Sequence, residues 1–516
     1  MSYLKKETKE NLISTIKNII YEWIDDGTAN ILPNMSRSGQ VILQLAYLSI
    51  FLISATYCTF SICISLTKYF QYDIVTSIEI IPENPANFPA VSFCNLKRFN
   101  KTNVTNAFID EALKGENYSI IEDIDDFYVL NDILSAIFLK QDEKLKRSSS
   151  FEINEMLLQC NFNWISCNSD DFDYFFDPLY GNCYTFNQKS ISREGRLPGP
   201  NYGLSVDFFV GNPNMDSKYE MNDGIIVVVH NKSTMPLLNN DRILVGTNAE
   251  IDLKVARTFI SKLGPPYSDC IKNEDNIDSE FYKFIVNKLK MTYTQEYCFE
   301  LCLQQIVTNE CNCSTNWFEL FENTSFCNKD KIKCSTDVVG DILSNKKADL
   351  NSNCVKKCPL KCETVEYKIT TSRANYPTPW STSLLSKHKI INSSGLSNDT
   401  IEKAVLRVHV YYESMTYTAI TETESITALT LFSNIGGTLG LCLGISILSL
   451  SKVFNLIIYL LTICEKSIVK NKVETKIEIF TTSPNEKLNM RIRKGAMEKK
   501  KKKKTKKEKK VKSLNK

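Results

Sequence analysis

Residues 426–463 read ITALTLFSNIGGTLGLCLGISILSLSKVFNLIIYLLTI, and Lys452 is the one charge in these 38 positions. A bilayer core needs roughly 20 apolar helical residues. The stretch is therefore long enough to span and too long for one straight crossing, so a break or a steep tilt is expected within it. Gly436, Gly440 and Gly444 recur every fourth residue. That small-xxx-small spacing lets helix backbones approach closely, and by itself it speaks only for packing.

Upstream, Val41 to Leu66 runs 26 residues without a charge, a second candidate span. It starts late and lacks a small-residue cleavage site, so a signal peptide is not expected. Between the spans lie residues 67–425, which hold fourteen of the eighteen cysteines: Cys94, Cys160, Cys167, Cys183, Cys270, Cys298, Cys302, Cys311, Cys313, Cys327, Cys334, Cys354, Cys358 and Cys362. An even number suits disulfides in an oxidising compartment. The same segment carries eight N-x-S/T sites, at Asn100, Asn103, Asn117, Asn231, Asn312, Asn323, Asn392 and Asn398, which points to an extracellular face and to glycosylation. Residues 465–516 hold 20 Lys and Arg against 6 Asp and Glu, and such a basic end belongs in the cytosol. The expected order is a cytosolic segment 1–40, a first transmembrane helix 41–66, an extracellular domain 67–425, a second transmembrane helix 426–463 and a basic cytosolic tail 464–516. With 43% hydrophobic residues and few Gly and Pro, a collagen-like or disordered chain is excluded.

Within 67–425, Ala90 to Phe93 is strand-like after Pro89, and Gly224 to His230 is a β-branched run suited to a buried strand. Val405 to Tyr412 alternates, with Leu406, Val408, Val410 and Tyr412 on one face and Val405, Arg407, His409 and Tyr411 on the other. Phe281, Phe284, Ile285, Lys288 and Leu289 fall at helical spacing. The cysteines from 298 to 362 contain no C-x2-C pair and no interspersed His, so disulfides are favoured over zinc. The fold class expected is α+β: two transmembrane helices flanking a large, disulfide-rich, β-centred ectodomain.

Several strings together resemble the epithelial sodium channel, degenerin and acid-sensing ion channel family. They are Phe88-Pro-Ala-Val-Ser-Phe-Cys94-Asn95-Leu96, Gly181-Asn-Cys183-Tyr-Thr-Phe-Asn187, Leu263-Gly-Pro-Pro-Tyr267-Ser-Asp-Cys270, Cys358-Pro-Leu-Lys-Cys362, Ala374-Asn-Tyr376-Pro377 and Gly436-Gly-Thr-Leu-Gly-Leu-Cys-Leu-Gly444-Ile-Ser446. They run in family order over about residues 20 to 460. The resemblance implies a trimeric channel architecture with the pore on the threefold axis. By cysteine rank it implies the pairs Cys94–Cys183, Cys160–Cys167, Cys270–Cys362, Cys298–Cys358, Cys302–Cys354, Cys311–Cys334 and Cys313–Cys327.

It also implies site roles. Gly444, Ile445 and Ser446 align with the selectivity filter, where unwound backbone lining a wet cavity can replace part of a cation's hydration shell. Ser433 matches the small-residue position where bulk holds family pores open, and Asn434 follows it as in the epithelial branch. Gly436, Gly437 and Gly440 belong to the same pore-lining segment. Tyr72 and Tyr267 match an aromatic pair that couples the ectodomain to the pore; for both, simple interfacial anchoring is the alternative.

Three departures stand out. Lys452 occupies the inner-pore position where the family carries Glu, and Asn455 replaces a second carboxylate. A ring of ammonium groups has the wrong sign for a cation path, unless Lys452 snorkels to headgroups instead. Asn30 and Ile31 replace the His-Gly of the N-terminal gating motif. Asp73 and Ile74 stand at the His pair of the acid-sensing branch, and with three His in the chain, gating by mild acid is not expected.

The function expected is a subunit of a trimeric, voltage-independent, sodium-selective cation channel, amiloride-sensitive and opened by an extracellular ligand or force. The alternative is a non-conducting membrane-anchored interaction protein or silent regulatory subunit of such a channel. No enzyme motif is present, and no metal or cofactor is expected, sodium being the permeant species. Expected partners are related subunits in a homo- or heterotrimer and the lipid bilayer of the plasma membrane, both termini being cytosolic. Lys499 to Lys512, with eleven lysines, is expected to attract anionic lipid or else to remain solvated; nucleic acid is not expected.

Overall fold

The computed structural model describes residues 40–100, 109, 127–188, 192–213, 222–238, 240–272, 279–315, 324–327, 329–344 and 354–444, with positions 451, 454, 455, 457, 458, 461 and 462. The chain divides into two units: Met1–Gln71 with Ile426–Lys516, and Tyr72–Ser425.

In the first unit, helix α1 spans Val41–Phe70. It runs four residues past Leu66, because Thr67 to Phe70 continue the helical turn and Lys68 suits the negative end of the helix dipole. Among the described residues it is the one helix long and apolar enough to cross a membrane. Most of its side chains are exposed, and Cys58 is buried.

The second unit has two large sheets, a short ribbon in which Ala86–Asn87 pairs with Glu194–Gly195, and a helical lobe. The strands of the two large sheets are β1 (Ile74–Pro82), β2 (Ala90–Asn95), β3 (Leu157–Phe162), β4 (Ile165–Ser166), β5 (Phe172–Asp177), β6 (Gly181–Phe186), β7 (Leu204–Phe209), β8 (Ile225–His230), β9 (Ile243–Val245), β10 (Ala249–Ser261), β11 (Glu363–Ala374) and β12 (Val405–Glu424). One sheet has the order β11-β10-β12-β7-β3-β4, with β1 also on β12; the other is β9-β8-β2-β6-β5. The main core lies between them. From one side come Val91, Phe93, Phe186, Ile225, Val227 and Val229; from the other come Val206, Phe208, Leu253, Val255, Leu406, Val408 and Val410. Ile226 and Val228 turn the other way, onto Cys94, Cys183 and Leu238. Strand β8 is thus covered on both faces, which is why its sequence is an unbroken apolar run.

Strand β12 changes environment along its length. Val405–Val410 pair antiparallel with β7, and Thr416–Glu424 pair antiparallel with β1, while β10 lies parallel along the other side. Val255 pairs with Tyr412 and Arg257 with Tyr417, so four residues of β12 stand opposite Ala256. At this irregularity the Arg257 guanidinium is buried, 2.6 Å from the Glu83 carboxylate and 4.5 Å from the Tyr412 ring centroid. Beyond it the sheet carries little cover: Ile78 is 68% and Ile80 73% exposed. The apolar alternation of β12 ends at Tyr412, where the fully buried run stops and only Met415 still packs on the core edge, yet the strand continues twelve residues further, to Glu424.

The helical lobe contains α2 (Phe127–Leu139), α3 (Gln295–Cys311) and α4 (Lys329–Leu343). Where helical spacing was expected, a short helix at Glu280–Lys283 runs into a five-residue wide turn at Phe284–Lys288. Phe281, Phe284 and Ile285 are buried against Tyr297 and Leu301 of α3. A lobe this small has little apolar area, and disulfides supply the constraint.

Candidate functional site

The stretch 426–463 opens with helix α5, Ala428–Leu443. Thr427 caps it: its hydroxyl accepts a hydrogen bond from the Thr430 amide at 3.1 Å. The helix ends at Gly444, in left-handed conformation with φ +70, and the Gly444 amide donates back to the Gly440 carbonyl at 3.0 Å. Any other L residue would be strained there. The break expected inside the long apolar stretch is therefore at Gly444, after 16 helical residues, a rise of about 24 Å.

Helix α5 packs along α1, both being in the first unit. Leu431 is buried, and Ile435, Thr438, Leu439 and Cys442 are half-buried. At roughly 3.6 residues per turn these share one face. Ser433, Gly436, Gly437, Gly440 and Gly444 fall on the opposite face and are exposed. A methyl group added at Gly436 or Gly437 would meet no heavy atom within 4 Å. Asn434 is exposed between the two faces. Ile445, Ser446 and Lys452, like Asn30, Ile31 and the basic tail, lie outside the described residues.

In the second unit, Tyr72 and Tyr267 meet edge to face, with ring centroids 5.5 Å apart and planes at 84°. Tyr72 reaches this position with φ 55, unusual for a bulky residue. Close by in the chain, the Leu263 amide donates to the Glu422 carboxylate at 3.1 Å, and the Ser425 amide to the Asp73 carbonyl at 3.0 Å.

Seven disulfides form, and they are the pairs that cysteine rank implies: Cys94–Cys183, Cys160–Cys167, Cys270–Cys362, Cys298–Cys358, Cys302–Cys354, Cys311–Cys334 and Cys313–Cys327. Cys298 and Cys302 lie one turn apart on α3 and face Cys358 and Cys354, with Cα separations of 5.6 and 5.9 Å. Cys94 and Cys183 are register partners on β2 and β6. Asn231, Asn312, Asn392 and Asn398 are exposed and Asn100 half-buried, while Asn103, Asn117 and Asn323 lie outside the described residues.

Two arrangements escape a reading of the sequence. The first explains a motif. Asn187, at φ 65 and buried, donates to the carbonyls of Phe88 (2.7 Å) and Pro89 (3.3 Å) and accepts from the Arg193 amide at 3.1 Å. It ties the end of one family-like string to the start of another.

The second is a polar network on the outer face of the large sheet. Arg407 of β12 grips Asp207 of β7 with two nitrogens, at 2.6 and 2.8 Å, and the Tyr376 hydroxyl donates to Asp207 at 2.9 Å. Glu250 of β10 lies 3.8 Å from Arg407 and 3.0 Å from His409. Burial first, then the Asp207 charge, holds the Tyr376 hydroxyl well above the usual tyrosine range. The one available signal was the pair Arg407 and His409 on the strand face opposite the apolar stripe.

Three carboxyls are shifted toward mild acidity by burial. Asp177 is pushed up to about 6, against the pull of the Leu179 and Tyr180 amides. Asp241 is raised by burial and then by Glu296, and Glu300 by burial alone. His230 moves the other way, to about 4, again because burial disfavours the charge.

The description Amiloride-sensitive sodium channel belongs to the family model that matches residues 27–459. Degenerin-like protein asic-2 of Caenorhabditis elegans is 25% identical over 479 residues, 85% of this chain and 85% of that protein. Epithelial sodium channel subunit alpha of Homo sapiens is 26% identical over 351 residues, 65% of this chain and 49% of that protein. The Homo sapiens subunit beta is 25% identical over 354 residues, 66% of this chain and 52% of that protein. The chain thus spans about half the length of these epithelial subunits. A solved proton-activated chloride channel aligns over 81% of this chain and 98% of its own, at a TM-score of 0.30 and 7% identity, too loose a likeness to bear on the fold. The family match takes in α1, the disulfide-laced ectodomain and the glycine-faced helix α5 together, and on that extent this chain belongs to the amiloride-sensitive sodium channel family.

Proposed function

We propose that this chain is a subunit of a trimeric, voltage-independent, sodium-selective channel of the plasma membrane, blocked by amiloride and opened by an extracellular ligand or by force. The observation that carries the reading is the family match across residues 27–459, together with the two-faced helix α5 inside it. One face of α5 is occupied by α1. The other offers Ser433, Gly436, Gly437 and Gly440, small enough to let copies of the helix converge on an axis. In this reading Ser433 and Asn434 sit at the outer pore, and the helix unwinds at Gly444 into a filter of Gly444, Ile445 and Ser446. The bare lower sheet supports an oligomer too: Ile78 and Ile80 form an apolar surface that a neighbouring subunit can cover.

Tyr72 and Tyr267 transmit ectodomain movement to the pore. Both termini are cytosolic, 464–516 is a lipid-attracting tail, and partners are the same or related subunits. Lys452 lowers cation flux in homotrimers, and Asn30-Ile31 alters gating.

The test is to express the chain alone with Ser433→Trp and to measure the reversal potential under a sodium/potassium gradient, with and without amiloride. A sodium-selective, blockable current is expected. Silence from trimers confirmed at the cell surface, unrelieved by Lys452→Glu, would sink the self-sufficient channel and favour a silent regulatory subunit, the reading that Lys452 suggests.

A further inference from the structure

Among the described residues three cysteines stand outside disulfides: Cys58 and Cys63 on α1 and Cys442 on α5. None of the roles above uses them. Cys58 is 3% exposed and is the one buried side chain of α1 among those described. Cys442 is half-buried on the face of α5 that α1 covers, in the last turn before the Gly444 break. The two thiols meet in a hydrogen bond. Cys63 is exposed, and it lies about 140° round the helix from Cys58, so it points away from that contact.

A single free cysteine packs as a small apolar group. Two sulfurs in contact on different helices are also a pair of reactants, because a disulfide needs its partners brought together in advance. Cys58 lies about 18 Å along α1 from its Phe70 end, and Cys442 about 21 Å along α5 from its Ala428 end. With α1 and α5 read as membrane helices, as proposed above, both thiols sit well inside a hydrocarbon core of about 30 Å. Charge is costly there. A disulfide carries none, whereas a soft monovalent metal ion on two thiolates would leave a net negative charge. The aqueous thiols that keep cytosolic cysteines reduced do not partition to that depth.

We propose that Cys58 and Cys442 form a redox site, which a lipid-soluble hydroperoxide converts to a disulfide tying α1 to the last turn of α5. The half-buried Cys442 reacts first. Its sulfur attacks the outer oxygen of the hydroperoxide, the O–O bond breaks, and the thiol proton leaves with the alcohol. The Cys58 sulfur then attacks the sulfur of the Cys442 sulfenic acid. The S–O bond breaks, the S–S bond forms, and the departing hydroxide takes the Cys58 proton as water. Two thiols and one hydroperoxide give one disulfide, one alcohol and one water, and the two electrons go to the peroxide oxygen. The bond holds the helix end that precedes Gly444 against α1. The thiol contact stands whether or not the chain conducts; the depth alone rests on the membrane reading.

The full chain in membrane vesicles is treated with cumene hydroperoxide. Its remaining thiols are alkylated with N-ethylmaleimide after denaturation, and linkages are mapped by mass spectrometry. Maleimide labelling should be lost at Cys58 and Cys442 together, with a Cys58–Cys442 linked peptide from single chains and no linkage through Cys63. In Cys58→Ser, dimedone should capture a sulfenic acid on Cys442; Cys442→Ser should leave Cys58 open to the maleimide. The bond should resist the charged reductant tris(carboxyethyl)phosphine in intact vesicles and open once detergent is added. Opening in intact vesicles would retain the pair and overturn its depth, and with it the lipid-borne route of the oxidant. Both thiols still labelled after the hydroperoxide, Cys442 carried to sulfinic acid with Cys58 labelled, or a linkage through Cys63 instead overturns the proposal.

Discussion

His230 makes the ectodomain core sensitive to acid in a way that can be worked through. It ends strand β8 opposite Ala90, and it is buried. Its Nε2 lies 2.9 Å from the Ser92 hydroxyl, which lies 2.8 Å from that of Thr185; its Nδ1 lies 3.0 Å from the Asn231 carbonyl. That carbonyl can only accept, so Nδ1 carries the proton, Nε2 accepts from Ser92, and the ring is neutral. Burial lowers the folded pKa to about 4, from 6.5. The unfolded segment therefore takes up a proton that the folded one refuses. Stability is complete above pH 6.5 and declines as pH falls toward 4, at about 1.4 kcal/mol per unit of difference. Between pH 7.5 and 5 the loss comes to about 2 kcal/mol, or about 30-fold in the opening equilibrium. Hydrogen exchange of the Ile226–Val229 amides in the full chain, corrected for intrinsic rates at the two pH values, reads that equilibrium. His230→Gln keeps one donor and one acceptor without a titrating proton, so this loss should vanish over the same range and leave only the opposite, stabilising trend that the raised Asp177 carboxyl contributes as pH falls. An unchanged loss in the variant would show that another group is responsible.

Asp207→Asn removes the charge that Arg407 grips with two nitrogens and leaves a half-buried guanidinium with Glu250 at longer range. A loss of about 3 kcal/mol is expected, read as lower surface yield and a lower unfolding temperature, with Arg407→Met in the same background restoring part of it. Asn187→Ala strands the Phe88 and Pro89 carbonyls and the Arg193 amide inside the core. It should cost about 2–3 kcal/mol and increase protease cleavage near Arg193, while the Cys94–Cys183 bond still forms on mass mapping.

Much of the fold is legible because its signals are local or countable. Uncharged length marks α1, the apolar run marks β8, and cysteine rank together with family resemblance pairs fourteen sulfurs that span up to 92 residues. The helix break at Gly444 follows from excess length and a residue that tolerates positive φ. What stays hidden is set by register between distant strands. Asp207 and Arg407 are 200 residues apart, and nothing near either names the other; only the β7–β12 pairing sets them side by side. Glu83 and Arg257 meet because β12 runs four residues opposite one at that point, an irregularity with no local marker. The lower half of β12 is hidden for a different reason: its side chains from Met415 to Glu422 are half-buried on both faces, so no apolar alternation betrays it.

The nine ladder pairs between β1 and β12 join the beginning of the ectodomain to its end, from Ile74 opposite Glu424 to Pro82 opposite Thr416. The two leads are therefore not separate tethers. Pulling on one loads the other in shear across every rung, so displacement is shared between them, and neither strand can slide by one place without reversing all its side chains. The ectodomain behaves as a cassette carried on a single closed ribbon. The ribbon is closed at its far end by the Ser425 amide, which donates to the Asp73 carbonyl at 3.0 Å.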